Sequence, residues 1–172
     1  MGRVPDVDPA LPQNPLHRAG RRLAKSRFGS WMALNVANKV DPYLMRVSRG
    51  HLKLPSGMPT VLLTHTGAKS GKRRTTPLVY FTEGSNAIVI ASQTGKARHP
   101  AWFHNLKAHP EVELWAGGRG GSYRAREAEG DERERLWKLA TQLYPGYDDY
   151  QRKATERRIP VVVCEPLDAD QG

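Results

Sequence analysis

Residues 159–164 read Ile-Pro-Val-Val-Val-Cys, without a polar or charged side chain. A strand that is apolar at both odd and even positions belongs in the middle of a sheet, with both of its faces covered. Such a strand needs partners, and the chain upstream supplies them. Thr60 to His65 is a short apolar, β-branched run. Arg74 to Thr82 is a second, and Ala87 to Ser92 returns across the turn Glu83-Gly84-Ser85-Asn86. Glu111 to Trp115 and Tyr123 to Ala128 read as two more strands, joined by a glycine-rich tip at Gly117-Gly118-Arg119-Gly120-Gly121.

Helical patterns interrupt this series. Pro100 suits a first helical position, Trp102, Phe103, Leu106 and Ala108 follow it, and Pro110 ends the helix. Asp131 with Glu134 three residues on forms an Asp variant of the capping box, opening a helix through Leu136, Trp137, Leu139, Ala140 and Leu143. Tyr144-Pro145-Gly146 stops it, and Asp148 to Thr155 offers another turn or two. Residues 20–48 carry an apolar stripe (Leu23, Phe28, Trp31, Leu34, Val36, Val40) with Arg21, Arg22, Lys25 and Arg27 at its start. That stripe reads as a helix packed on a core, or as a basic amphipathic segment resting on a membrane surface. Hairpin-linked strands with helices between them predict an α+β fold with an antiparallel sheet, plausibly a small barrel. The expected organisation is a flexible arm over residues 1–18, which hold four prolines and are kept out of the core, a helical segment over 19–56, and a barrel domain over 57–168.

At 172 residues the chain has room for one domain. Its single cysteine, Cys164, excludes an internal disulfide framework and any multi-cysteine metal site. The six histidines show no metal-ligand spacing, so no metal is expected. No segment has the length and apolarity of a membrane span or the apolar core of a signal peptide, so a cytoplasmic location is expected. The net charge of +10 is uneven: residues 1–110 hold 17 of the 27 Lys and Arg but only 4 of the 17 Asp and Glu. A basic surface of this kind attracts nucleic acid, anionic lipid or a polyanionic small molecule. Nucleic acid is disfavoured, because the basic turns lack interleaved aromatics and no helix-turn-helix pattern is present.

Three segments carry candidate chemistry. Thr66-Gly67-Ala68-Lys69-Ser70-Gly71-Lys72-Arg73-Arg74 combines glycines, hydroxyls and cations in a turn after a strand. Its backbone N–H groups can cradle a phosphate, although the Walker spacing is absent and a solvated basic hairpin has the same composition. Ser92 to Arg98 is a second polar, basic turn. Tyr144, Tyr147 and Tyr150 recur every three residues and could wall a pocket for a flat ring, or simply pack on the sheet. Together these suit a binder of a flat, anionic cofactor without naming a reaction.

The stretches LLTHTGAKSGKRRTTPLVYF, IVIASQTGKARHPAWFHNLKAHPEVEL and LYPGYDDYQRKATERRIPVVVCEP, in that order over residues 59–166, resemble the deazaflavin-dependent nitroreductase family, whose members use coenzyme F-420. The resemblance implies a split β-barrel related to FMN-binding barrels, and an oxidoreductase that passes a hydride from the reduced deazaflavin to a conjugated acceptor such as a quinone or nitroaromatic compound. It places coenzyme contacts at Ala68, Lys69 and Ser70, then at Arg74, Thr75, Thr76, Pro77, Leu78 and Val79. Further contacts fall at Ile90, Ala91, Ser92 and Gln93, then at Ala101, Trp102, Phe103, His104 and Asn105. Tyr144, Tyr147 and Tyr150 would border the acceptor, with Tyr147 also touching the ring, and Ser92 would stabilise developing charge. Ala68 and Gln93 stand where basic residues are frequent in that family. Val79 stands where members active on bicyclic nitroimidazoles carry Tyr. An FMN-dependent barrel enzyme and a non-catalytic module binding anions or a membrane remain the alternatives, and oligomeric state is left open.

Overall fold

A computed structural model describes residues 2–9 and 58–167. The predicted helix over residues 20–48 lies outside the described residues. Six strands, β1 (Thr60–Thr66), β2 (Arg73–Glu83), β3 (Asn86–Ile90), β4 (Glu111–Ala116), β5 (Arg119–Glu127) and β6 (Val161–Pro166), close into a barrel in the order β1-β2-β3-β6-β5-β4. Every pairing is antiparallel. Three helices accompany them among the described residues: α1 (Ala101–Ala108), α2 (Gly130–Leu143) and α3 (Gly146–Lys153).

The apolar run at 159–164 is explained by two separate cores. Val162 and Cys164 join Val61, Leu63, Val89, Leu114 and Tyr123 in a cluster fed by the inward positions of all six strands. Val161 and Val163 face the other way, against Leu136, Ala140 and Leu143 of α2 and Tyr147 of α3. Because successive residues of a strand point to opposite faces, Val161–Cys164 of β6 has no solvent side and is apolar throughout, and only its last two residues, Glu165 and Pro166, reach the edge of the cores. It sits between β3 and β5, in the interior position its composition predicts.

The strand registers sort the loops to two ends. One end holds the two-residue turns Gly84-Ser85 and Gly117-Gly118. The other holds the β1–β2 turn, the connection from β3 to α1, and the segment leading from α3 into β6.

Closure is incomplete in one place. β2 pairs with β1 along Arg73–Val79 but with β3 only from Tyr80 onward. The first half of β2 therefore has a strand on one side only among the described residues. This leaves a seam between Arg73–Val79 and the chain as it leaves β3. That seam is what makes the barrel split.

Four expectations need correction. Residues 2–9 dock on the barrel and put Val4 into its core: Val4 is 3% exposed, its N–H donates to the Tyr123 hydroxyl (3.0 Å), and the Tyr80 hydroxyl donates to the Pro5 carbonyl (3.0 Å). The aromatic hydroxyls inside the barrel mouth needed acceptors and donors, and extended backbone provides both. The glycine-rich tip is not a five-residue loop. Gly117 and Gly118, at φ 54° and 75°, make the turn alone, and Gly120 and Gly121 are buried within β5. Two consecutive positive-φ residues give the primed turn that matches strand twist. No capping box forms: Glu129 is the N-cap of α2 and makes no side-chain cap bond, so the helix starts one residue before Asp131. Pro100 is likewise the N-cap of α1 rather than its first helical residue.

Candidate functional site

The predicted site residues gather at the long-loop end and along the seam. In the β1–β2 turn the chain folds back on itself through Gly67 N–H to the Lys72 carbonyl (2.9 Å) and Gly71 N–H to the Gly67 carbonyl (2.8 Å). A Cβ at Gly67 would lie 2.6 Å from the Ser70 hydroxyl, which would have to rotate away to admit it. The N–H groups of Lys69 and Ser70 find no acceptor among the described residues. Lys69, Lys72, Arg74, Lys96 and Arg98 form no ion pair there either, although nine salt bridges tie down other charges, Arg73 with Glu113 among them. Free backbone donors beside unpaired cations are what a phosphate and an acidic tail require.

A buried hydrogen-bond chain fixes this turn to α1. Ala68 N–H donates to Asn105 Oδ1 (2.9 Å), and the Asn105 amide nitrogen lies 3.1 Å from His65 Nδ1. His65 Nε2 lies 3.2 Å from the Thr76 hydroxyl. The Asn105 amide can only donate, so Nδ1 accepts and the imidazole proton sits on Nε2, where it donates to Thr76. Burial, and then the Arg74 charge, push the His65 pKa below its ordinary value, which keeps the ring neutral as this chain needs. His65 received no role from sequence. Its only signal was a polar residue at an inward position of an apolar strand. Asn105, expected among the coenzyme contacts, orients the turn.

Across the seam, Ser92 follows β3 and is half-buried, with a hydroxyl that has no partner among the described residues. Gln93 and Thr94 both adopt left-handed backbone, at φ 46° and 55°. The Gln93 amide, oriented to donate, reaches the Arg98 (2.7 Å) and His99 (3.1 Å) carbonyls, so it closes its own loop. Thr75, Thr76, Pro77, Leu78 and Val79 line the open edge of β2 and are half-buried, while Ile90 and Ala91 on the facing strand end are buried. On α1, Ala101 and His104 are exposed, but Trp102 and Phe103 are 7% and 4% exposed and are built into the barrel core. The structure therefore brings the turn, seam and loop together but gives the two aromatic rings a packing role.

The tyrosines form one cluster on and beside α3. The rings of Tyr144 and Tyr147 meet edge-on at 5.2 Å, and the Tyr144 and Tyr150 hydroxyls are 3.2 Å apart. Tyr147 is 6% exposed and its hydroxyl has no partner among the described residues. Burial raises the pKa of both Tyr147 and Tyr150, so both hydroxyls stay protonated. Cys164 is buried in the barrel and its thiol is pushed up to about 12, which leaves it inert. No group of His, Cys, Asp and Glu able to hold a metal exists among the described residues.

Residues 43–166 match the F-420H(2)-dependent quinone reductase family. The chain belongs to that family. A Mycobacterium tuberculosis protein provisionally named an F-420H(2)-dependent quinone reductase is 40% identical over 122 residues, covering 71% of this chain and 99% of its own. A second protein of the same organism, named an F-420H(2)-dependent quinone reductase, is 38% identical over 117 residues, covering 66% of this chain and 77% of its own. A solved structure described as an F-420H(2)-dependent reductase shares 47% identity, with a TM-score of 0.58 over 62% of this chain and 94% of its own. Family membership makes this chain an oxidoreductase whose cofactor is coenzyme F-420, and sets aside the FMN and non-catalytic alternatives.

Proposed function

We propose that this quinone reductase family member holds the deazaflavin across the barrel seam and reduces a quinone lodged against the tyrosine cluster. The observation that carries this reading is the first half of β2, which among the described residues is paired on one side only and leads from a turn whose Lys69 and Ser70 N–H groups and several cations have no partner there. When bound, the coenzyme would supply a hydride, which carries both electrons of the reduction. Lys69 and Ser70 N–H would hold its phosphate, and Lys72, Arg74 and Lys96 its acidic tail. The backbone of Thr75 to Val79 and of Ile90 to Gln93 would flank the ring system. Ala101 and His104 would add contacts from the exposed face of α1.

The remaining chemistry falls to side chains. Reduction places negative charge on a quinone oxygen, and the free Ser92 hydroxyl is a donor available to stabilise it. A proton must follow. Tyr150 is a protonated donor, hydrogen-bonded to Tyr144, which can replenish it. Tyr147 gives the acceptor a flat apolar wall. Nitroaromatic compounds are flat and electron-poor enough for the same wall, but Val79 offers neither ring nor hydroxyl at the seam, so quinones are the better substrates.

Titration with coenzyme F-420 and, in parallel, FMN, followed by tryptophan fluorescence, tests the cofactor half of this reading. Deazaflavin binding much tighter than FMN is expected, and the reverse order would sink it. Turnover of a naphthoquinone faster than of a nitroimidazole is expected in the presence of the reduced coenzyme. The basic stripe at residues 20–40 would bring the protein to membranes that hold lipid-soluble quinones. Flotation on anionic vesicles, with and without residues 1–40, should then differ.

A further inference from the structure

We propose that Arg157 is a positioning residue that holds the Ser92 loop in register with the tyrosine cluster. This rests on the functional reading above. Arg157 lies between α3 and β6 and has no carboxylate partner among the described residues. Its guanidinium is committed to one loop. Nη2 donates to the Ser92 carbonyl (2.8 Å), Nε to the Lys96 carbonyl (2.9 Å), and Nη1 to the Ala91 carbonyl (3.3 Å) and His99 Nδ1 (3.1 Å). A guanidinium only donates, so His99 must present an unprotonated Nδ1.

The loop needs this hold. Gln93, Thr94 and Gly95 are three successive left-handed residues, and two of them carry side chains that disfavour that conformation. The loop also presses on α3: a Cβ at Gly95 would lie 2.7 Å from the Tyr150 carbonyl oxygen. Arg157 is itself tied to α3, because the Gln151 side chain donates to the Arg157 carbonyl (2.9 Å) and accepts from Ile159 N–H (2.8 Å). One side chain thus links the element that carries Tyr147 and Tyr150 to the loop that carries Ser92. The guanidinium is a planar fork of five N–H donors, so it holds carbonyls on three sides in a fixed geometry that the compact three-donor ammonium of a lysine does not reproduce.

The test combines a ligand-free and a catalytic readout on Arg157→Ala and Arg157→Lys. Hydrogen exchange of the Gly95 and Lys96 amides, which are bonded to the Ser92 and Gln93 carbonyls, should speed up about tenfold or more in both variants. Exchange in the six strands should stay at the wild-type rate. With reduced coenzyme F-420 and a naphthoquinone, kcat should fall about tenfold while the quinone KM changes less than about threefold. Millimolar guanidinium should restore kcat in Arg157→Ala and leave wild type unchanged. Wild-type exchange at Gly95 and Lys96 in either folded variant would overturn the proposal. So would a uniform loss of protection across the barrel, which would mark a general stabilising role. If Arg157→Ala does not fold, Arg157→Lys decides by the same exchange criterion. If wild type neither binds nor turns over the coenzyme, the proposed function falls, and the exchange result alone upholds or overturns the clamp.

Discussion

The two ends of the barrel are built from the same strands and do opposite things. At one end, two-residue turns at Gly84-Ser85 and Gly117-Gly118 let the strands reverse at once, and residues 2–9 lie over the opening. The hydroxyls of Tyr80, Thr82 and Tyr123 are bonded to backbone there. At the other end the connections are longer, and among the described residues the N–H donors at Lys69 and Ser70 are free and several cations stand unpaired. Satisfied polar groups mark the end that holds the fold together. Unsatisfied donors, steadied by His65, Asn105 and Arg157 behind them, mark the end available to a ligand.

Substitutions at the two ends should therefore separate binding from stability. The largest effect is expected from Lys69→Ala combined with Arg74→Ala. Two charge-assisted contacts removed from exposed positions should weaken coenzyme binding by about 100-fold, with little change in Tm. The loss should shrink at high salt, and a Kd within threefold of wild type would return the turn to a solvated hairpin. Next, Val4→Ala at the closed end should cost about 2 kcal/mol of stability by denaturant unfolding and leave coenzyme affinity alone. A coenzyme defect with unchanged stability in that variant would break the contrast. Third, Ser92→Ala should lower kcat by about tenfold with a smaller effect on coenzyme Kd, as expected of a donor that acts mainly on developing charge. Equal turnover would remove Ser92 from the chemistry.

The smallest effect concerns pH. His65 and His99 both have pKa values lowered by burial first, and then by Arg74 and Arg157 respectively. The unfolded chain therefore takes up these protons before the folded chain does. Their contribution is fully present above the ordinary value of 6.5 and is lost as pH falls below it. A denaturation series from neutral to mildly acidic pH should show this decline, reduced in His65→Asn. A flat profile would mean that neither imidazole is held neutral by the fold.

Much of this architecture was legible because period and punctuation are local. Alternation in the strands, Pro110 and Tyr144-Pro145-Gly146 as stops, and the apolar run at 159–164 each report on their own neighbourhood. The family motifs added the family and the expectations for the site. What escaped were the long-range polar ties. Val4 with Tyr123 and Ala68 with Asn105 are separated by 119 and 37 residues, and the Arg157 clamp spans more than 60. A proline-containing arm reads as free until the tyrosine hydroxyls it satisfies are known. Arg157 reads as one of several surface arginines until its carbonyl partners come into view.

The position of β6 also constrains how the molecule is made. β6 is the last of the six described strands in sequence, yet it lies between β3 and β5 and completes both cores. Until residues 161–166 leave the ribosome, β3 and β5 are open edges whose apolar faces lack their partner. Nascent chains should thus be recognised by chaperones until β6 has emerged. Folding should be slow for a protein of this size, because its closing contacts join distant parts of the chain. Truncation just before residue 161 should yield aggregates rather than a smaller folded protein.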